Sequence, residues 1–149
     1  MPGSYWLVAR DKPGLLIAMM RALTGHAYIS FEGNLSRCDF GLLPPIDDGL
    51  IYGLRRVTPY PCLDFVVLPL EPDTIRPILD QVLPGARVVH DIIHIQIAKH
   101  GRREFGAYDN FHPDCIVCGP LIPQSLLDDL QRRGVLRTYM AASENLFDT

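Results

Sequence analysis

Between residue 4 and residue 99 the spacing of apolar side chains switches twice from a period of two to a period near 3.6 and back. That order limits the folds open to this 149-residue chain. Ser4 to Arg10 is rich in aromatic and β-branched residues and reads as a strand. It runs into Asp11-Lys12-Pro13-Gly14, a turn signal in which proline sets φ and glycine admits close backbone approach. Leu15 to His26 then puts Leu15, Leu16, Met19, Met20 and Leu23 on one helical face, with Gly25 as the stop. Tyr28 to Ser36 alternates, Ile29, Phe31 and Leu35 facing one way and Ser30, Glu32, Asn34 and Ser36 the other. Arg37 to Pro61, broken by four prolines and three glycines, reads as a long connection with room for a short strand near Leu50 to Val57. Cys62 to Leu70 is an apolar strand. Ile75, Ile78, Leu79, Val82 and Leu83 form the stripe of a second helix, capped by Asp73 or Thr74 and ended by Pro84-Gly85. Ala86 to Lys99 alternates again as a further strand.

The implied fold is α+β, a ferredoxin-like βαββαβ sandwich with an antiparallel sheet and two helices on one face. Residues 1–100 form this domain, with 37–61 as a long loop insertion. Residues 101–149 read as a C-terminal loop-helix extension: Gly101 to Pro120 is loop-like, and Pro123 to Arg133 carries Leu126, Leu127 and Leu130 on a short helix stopped by Gly134. Ala141 to Thr149 is a polar end. The sheet face away from the helices carries Ile92 between His90 and His94, and an apolar face of this kind is seldom left wet. The extension is therefore expected to pack on the domain or on a dimer partner.

Several functions are disfavoured. The formal net charge of -3 offers no electrostatic footprint for nucleic acid, and Arg102-Arg103 and Arg132-Arg133 read as solvated pairs. Leu15 to Met20, the longest apolar stretch, falls far short of the roughly 20 residues of a membrane helix. No targeting segment is evident, so a cytoplasmic protein with free thiols at Cys38, Cys62, Cys115 and Cys118 is expected. There is no nucleophile elbow, phosphate loop or pair of carboxylates at catalytic spacing, so no catalytic residue and no cofactor are assigned and the chain is expected not to be an enzyme. His112, Cys115 and Cys118 are candidate zinc ligands, a Cys-x-x-Cys pair lacking a second pair. His90 and His94, on one strand, would lie about 13 Å apart and could not share an ion.

Leu7 to Leu16, with Asp11-Lys12-Pro13-Gly14-Leu15-Leu16 at its centre, resembles the opening of ACT domains, in which a first strand enters such a turn and a helix. The resemblance implies a free-standing homodimeric regulatory domain that binds an amino acid or similar small molecule, with Asp11, Lys12, Pro13, Gly14, Leu15 and Leu16 as ligand-binding residues. A helix N-terminus with unpaired N–H groups suits a carboxylate. Two other readings stay open: a protein–protein adaptor with the same fold and no small ligand, and a zinc-stabilised module using Cys115 and Cys118.

Overall fold

A computed structural model of the chain describes residues 3–41 and 53–143. The elements are β1 (Tyr5–Ala9), α1 (Lys12–Leu23), β2 (Ala27–Gly33), β3 (Asp64–Leu70), α2 (Ile75–Val82), β4 (Ile92–Lys99), β5 (Arg102–Ala107), β6 (Ile116–Cys118), α3 (Gln124–Arg132) and β7 (Leu136–Ala141). A 3-10 turn, Pro84–Ala86, follows α2. The strands form one seven-stranded sheet in the order β3-β2-β4-β5-β6-β1-β7. Every neighbouring pair is antiparallel.

This corrects the ferredoxin-like expectation. Among the described residues the sheet has seven strands where four were expected, and three helices accompany it. Residues beyond 101 are no appended loop and helix: they supply β5, β6, α3 and β7. β1 lies between β6 and β7, pairing Tyr5 with Cys118 on one side and with Ala141 on the other. Two crossovers share a plan. β3 and β4 flank β2 and are joined through α2, while β6 and β7 flank β1 and are joined through α3. Each is a split βαβ unit, and α1 joins their two central strands.

The period-two segments were read at the right places in the first half, but β4 is shorter than expected. Val88 and Val89 belong to the turn region before it and pack against the core as partly buried side chains. Of the expected strand near Leu50 to Val57, residues 50–52 lie outside the described residues and 53–57 are irregular.

One apolar cluster joins the three helices to one face of the sheet. It takes Leu15, Leu16, Met19, Met20 and Leu23 from α1, Ile78 and Val82 from α2, and Leu127 and Leu130 from α3. Alternate sheet residues meet them, among them Leu7, Ile29, Phe31, Ile95, Ile97, Phe105 and Ile116. The C-terminal carbonyls of α1 end on Lys99, whose Nζ donates to Leu23 O, Thr24 O and Gly25 O at 3.2, 2.8 and 2.7 Å. This cation at a helix C-terminus satisfies acceptors that would otherwise lack partners.

The opposite face is covered differently from expectation. A strap, residues 54–58, crosses it and buries Leu54 against Val67 and Ala98, with Tyr28 and Phe65 alongside. The strap comes from the β2–β3 connection, not from the C-terminal third.

Because both partners of β1 lie beyond residue 100, a chain ended at residue 100 is expected to lose cooperative folding. Circular dichroism with thermal denaturation checks this, and a sharp reversible transition in the shortened chain would contradict the topology.

Candidate functional site

The β1–α1 turn is held from two sides. Arg10 and Asp11 donate their backbone N–H groups to Val135 O at 2.9 and 3.1 Å, just before β7. Asp11 caps α1, its Oδ1 accepting from Gly14 N at 3.0 Å. Pro13 has no N–H to offer, so the chain's own carboxylate serves the helix end that a ligand carboxylate was expected to meet. A Cβ at Gly14 would collide with the Asp11 carboxylate, which is the local reason for glycine there.

The six residues singled out at this turn therefore separate into three groups. Asp11, Lys12 and Pro13 line a cleft of about 520 Å³. Gly14 makes room for the cap. Leu15 and Leu16 are wholly buried in the core and face away from solvent.

The rest of the cleft is lined by Arg10, Arg87, Val88, Val89, His90, Asn110 and Phe111. Arg10, Lys12 and Arg87 are cationic and exposed, and Asp11 is the one acidic residue of the lining. Asp109, Asn110 and Phe111 have φ of 51, 58 and 62°, three successive left-handed residues without a glycine. Such a run costs on the order of 1 kcal/mol or more per residue and persists only where its surroundings enforce it. Phe111 is enforced by burial, being 5% exposed within the core. Asn110 donates its backbone N–H to Ile93 O at 2.9 Å. Its side-chain amide, oriented to satisfy its neighbours, donates to His90 O at 3.0 Å and Ile92 O at 2.6 Å. Asn110 thus ties the strained loop to the segment that carries Arg87 and His90.

The first member of the run contacts β4. Asp109 N–H donates to His94 Nδ1 at 3.3 Å, and His94 Nε2 lies 2.9 Å from Thr58 Oγ1. Since Nδ1 accepts, the proton of the neutral ring sits on Nε2 and is donated to Thr58. In this tautomer the imidazole cannot draw a proton from the Thr58 hydroxyl, so the pair is a tether and not a base with its nucleophile. Around it Glu32, 1% exposed, accepts from Val57 N and Thr58 N at 2.7 and 3.0 Å. Gln96 donates to Arg55 O at 2.8 Å and accepts from Arg103 at 2.8 Å. Arg103 also donates to the Tyr108 hydroxyl at 3.1 Å, and burial is the main cause of the raised Tyr108 pKa. These contacts fasten the strap to the sheet.

The cysteine candidates do not converge. Cys118 is buried on the helix side, its thiol pushed up to about 12 by burial and secondarily by the Glu104 carboxylate. Cys115 lies 3.9 Å from His112 Nδ1 and 3.9 Å from Asp109 Oδ2, its thiol raised by burial and by Asp109 and Asp114. Both shifts oppose the thiolate that redox chemistry requires. Among the described residues no three His, Cys, Asp or Glu side chains come together as a metal-binding group.

Arg10, Arg87, Asn110 and Phe111 were not singled out from sequence, and His90, expected on the open face of a strand, instead precedes β4 and lines the cleft. Asp109-Asn110 was a usable signal, because both residues tolerate the left-handed region and mark turns. Nothing in the linear chain places Arg87 in one cleft with Lys12.

No family model, no curated protein and no solved structure matches the chain. Among the described residues no helix is long and apolar enough to cross a membrane.

Gly14→Ala is expected to cost about 1 kcal/mol through loss of the cap. In an Asp11→Ala background the same change is expected to be neutral or stabilising, because alanine favours a helix over glycine. Thermal denaturation of the four proteins measures the difference, and equal costs in both backgrounds would contradict the account. Glu104, 2% exposed, accepts from Leu121 N at 3.0 Å through its Oε1. Burial raises its carboxyl above the ordinary value, more than the Leu121 N–H and Arg102 lower it. Its contribution to stability is full below the ordinary carboxylate pKa and is lost as pH rises through the raised folded value. Glu104→Gln is therefore expected to lose less stability than the parent as pH rises above the ordinary carboxylate value of about 4, read as melting temperature against pH. Parallel curves would refute it.

Proposed function

We propose that this protein is a non-catalytic sensor that takes a small carboxylate-bearing metabolite, of amino-acid type, in the cleft beside the β1–α1 turn. The observation that carries the reading is the lining of that cleft. Three cationic side chains, a histidine and the Asn110 loop surround a volume of about 520 Å³, and Asp11 is the only carboxylate among them. Guanidinium and ammonium groups give a carboxylate its strongest hydrogen bonds. The reading differs from the expectation in one respect: side chains of two separate segments hold the ligand, and the helix N-terminus is served by Asp11.

A regulatory role is supported by what the far side of the cleft touches. Asn110 and Phe111 line it, and their neighbour Asp109 holds His94, which holds the strap at Thr58. A ligand that altered this loop would act on the strap through His94. Such coupling requires a difference in ligand affinity between two arrangements of the loop.

A second reading, a protein–protein adaptor, has its own observation. β7 is an edge strand of the sheet, Met140 on it is 64% exposed, and a cleft of about 400 Å³ beside it is lined by Trp6, Val8, Pro113 and Tyr139 among others. Exposed edges of this kind accept another chain.

A thermal-shift screen against the common amino acids and simple organic acids separates the two. Specific binding stabilises by about 2.7 kcal/mol at a hundredfold excess over Kd. The sensor reading predicts a clear rise with at least one acid, abolished by Lys12→Gln. A flat screen would overturn it and leave the adaptor.

A further inference from the structure

The sheet has two edges, β3 and β7, and they are finished differently. On β3, Pro69 has no N–H to offer, and its carbonyl already accepts from the Thr74 hydroxyl at 2.7 Å. β7 has neither device. Its residues Leu136–Ala141 contain no proline and one charge, Arg137, which the register with β1 skips. Ala142 N–H donates to Ser4 O at 2.9 Å, so by antiparallel alternation Thr138 and Met140 also turn their backbone groups toward β1. Tyr139 and Ala141 turn theirs outward, and among the described residues no backbone group meets them. The side chains add a second observation. Trp6, Val8, Thr138 and Met140 share the face away from the helices, because Tyr5, Leu7 and Tyr139 take part in the core. The strap covers this face over Val67 and Ala98, toward the β3 end of the sheet. At the β7 end Met140, 64% exposed, lines a cleft of about 400 Å³ with Trp6, Val8 and Pro113.

Charge selects the occupant. Arg137 precedes Met140 by three positions, and the sequence continues past the described residues with Glu144, four positions after it. A two-fold axis at Met140 pairs Tyr139 of each copy with Ala141 of the other, so that outward groups meet outward groups. It also sets Arg137 beside positions 143 and 144 of the second copy, cation against carboxylate, and lays the exposed Met140 against its counterpart. We infer that β7 is the interface between two copies of this chain, paired antiparallel about Met140 into one continuous sheet. Such a contact uses the same patch twice and closes on itself, so it covers the free edge without propagating. The inference is independent of the carboxylate cleft, whose lining shares no residue with it.

Sedimentation equilibrium of the full chain over a range of concentrations tests it, together with Ala141→Pro, Arg137→Glu, Glu144→Arg and the double charge reversal. Proline at 141 removes only an outward N–H, and circular dichroism checks that each variant folds. The parent is expected to be a dimer that dissociates on dilution, and Ala141→Pro a monomer where the parent is a dimer. Each single reversal brings like charges together at two symmetric places and is expected to weaken the dimer roughly tenfold, with the double reversal restoring it. If Ala141→Pro does not fold, the three charge variants decide. A parent that stays monomeric at every concentration would overturn the inference and leave the edge to a chain of different sequence. A dimer indifferent to Ala141→Pro and to the single reversals would overturn it as well, placing the interface elsewhere. Weakening by the single reversals that the double reversal fails to restore would overturn the pairing about Met140.

Discussion

The placement of β1 between β6 and β7 is the constraint on which the rest of the structure depends. Its two partners come from residues 116–118 and 136–141, more than a hundred positions along the chain, so the first strand has no place in the sheet until the last third arrives. The β1–α1 turn is fastened to the same region, since Arg10 and Asp11 both donate to Val135 O. From there α1 must lead back across β6, β5 and β4 to reach β2. Contacts this distant in sequence are costly to close and slow to find. They also set the cleft: its turn residues are fixed by Val135 just before β7, and the rest of its lining comes from the segment ahead of β4 and from the Asn110 loop.

The two faces of the sheet are held by different physics. On the helix side a continuous apolar cluster does the work, and burial of Leu, Ile, Met and Phe side chains is its driving force. On the other side Glu32, Ser30, His94 and Gln96 are buried at the sheet surface under the strap. Their hydrogen bonds to Val57, Thr58, Arg55 and Arg103 make that burial tolerable. A polar network of this kind contributes less to stability than an apolar layer of the same size, but it defines one position of the strap. It also joins the strap to the cleft, through the His94 ring and the strained run Asp109 to Phe111.

Local signals in the sequence located what local chemistry decides. The Asp11-Lys12-Pro13-Gly14 turn, the buried stripe of α1, the alternation of β2 and the helix at 124–132 were all legible. The sheet was not, for three separate reasons. β6 has only three residues, too few for a period to show. β5 begins with Arg102-Arg103-Glu104 and contains Gly106, a composition that reads as loop although Phe105 and Ala107 alternate into the core. β7 is an exposed edge in which Leu136 alone is fully buried, so its pattern is weak although Tyr139 and Thr138 carry strand propensity. Half of the cleft was visible as the turn, and the other half needed Arg87, His90 and Asn110 to be brought together by the sheet order, which no single sequence window encodes. Polar residues of β2 and β4 were assigned the right face, but their cover, the strap, lay in a segment whose prolines announce only irregularity.

The most direct test is an amide-resolved NMR titration of the uniformly labelled protein with the amino acids and simple organic acids of the thermal-shift screen. The account predicts that the resonances that move belong to Lys12, to Val88 through His90, and to Asn110 and Phe111, with Thr58 on the opposite face responding through His94. Movement confined to β7 and the surroundings of Trp6, or no movement at saturating acid, would contradict the cleft as the binding site.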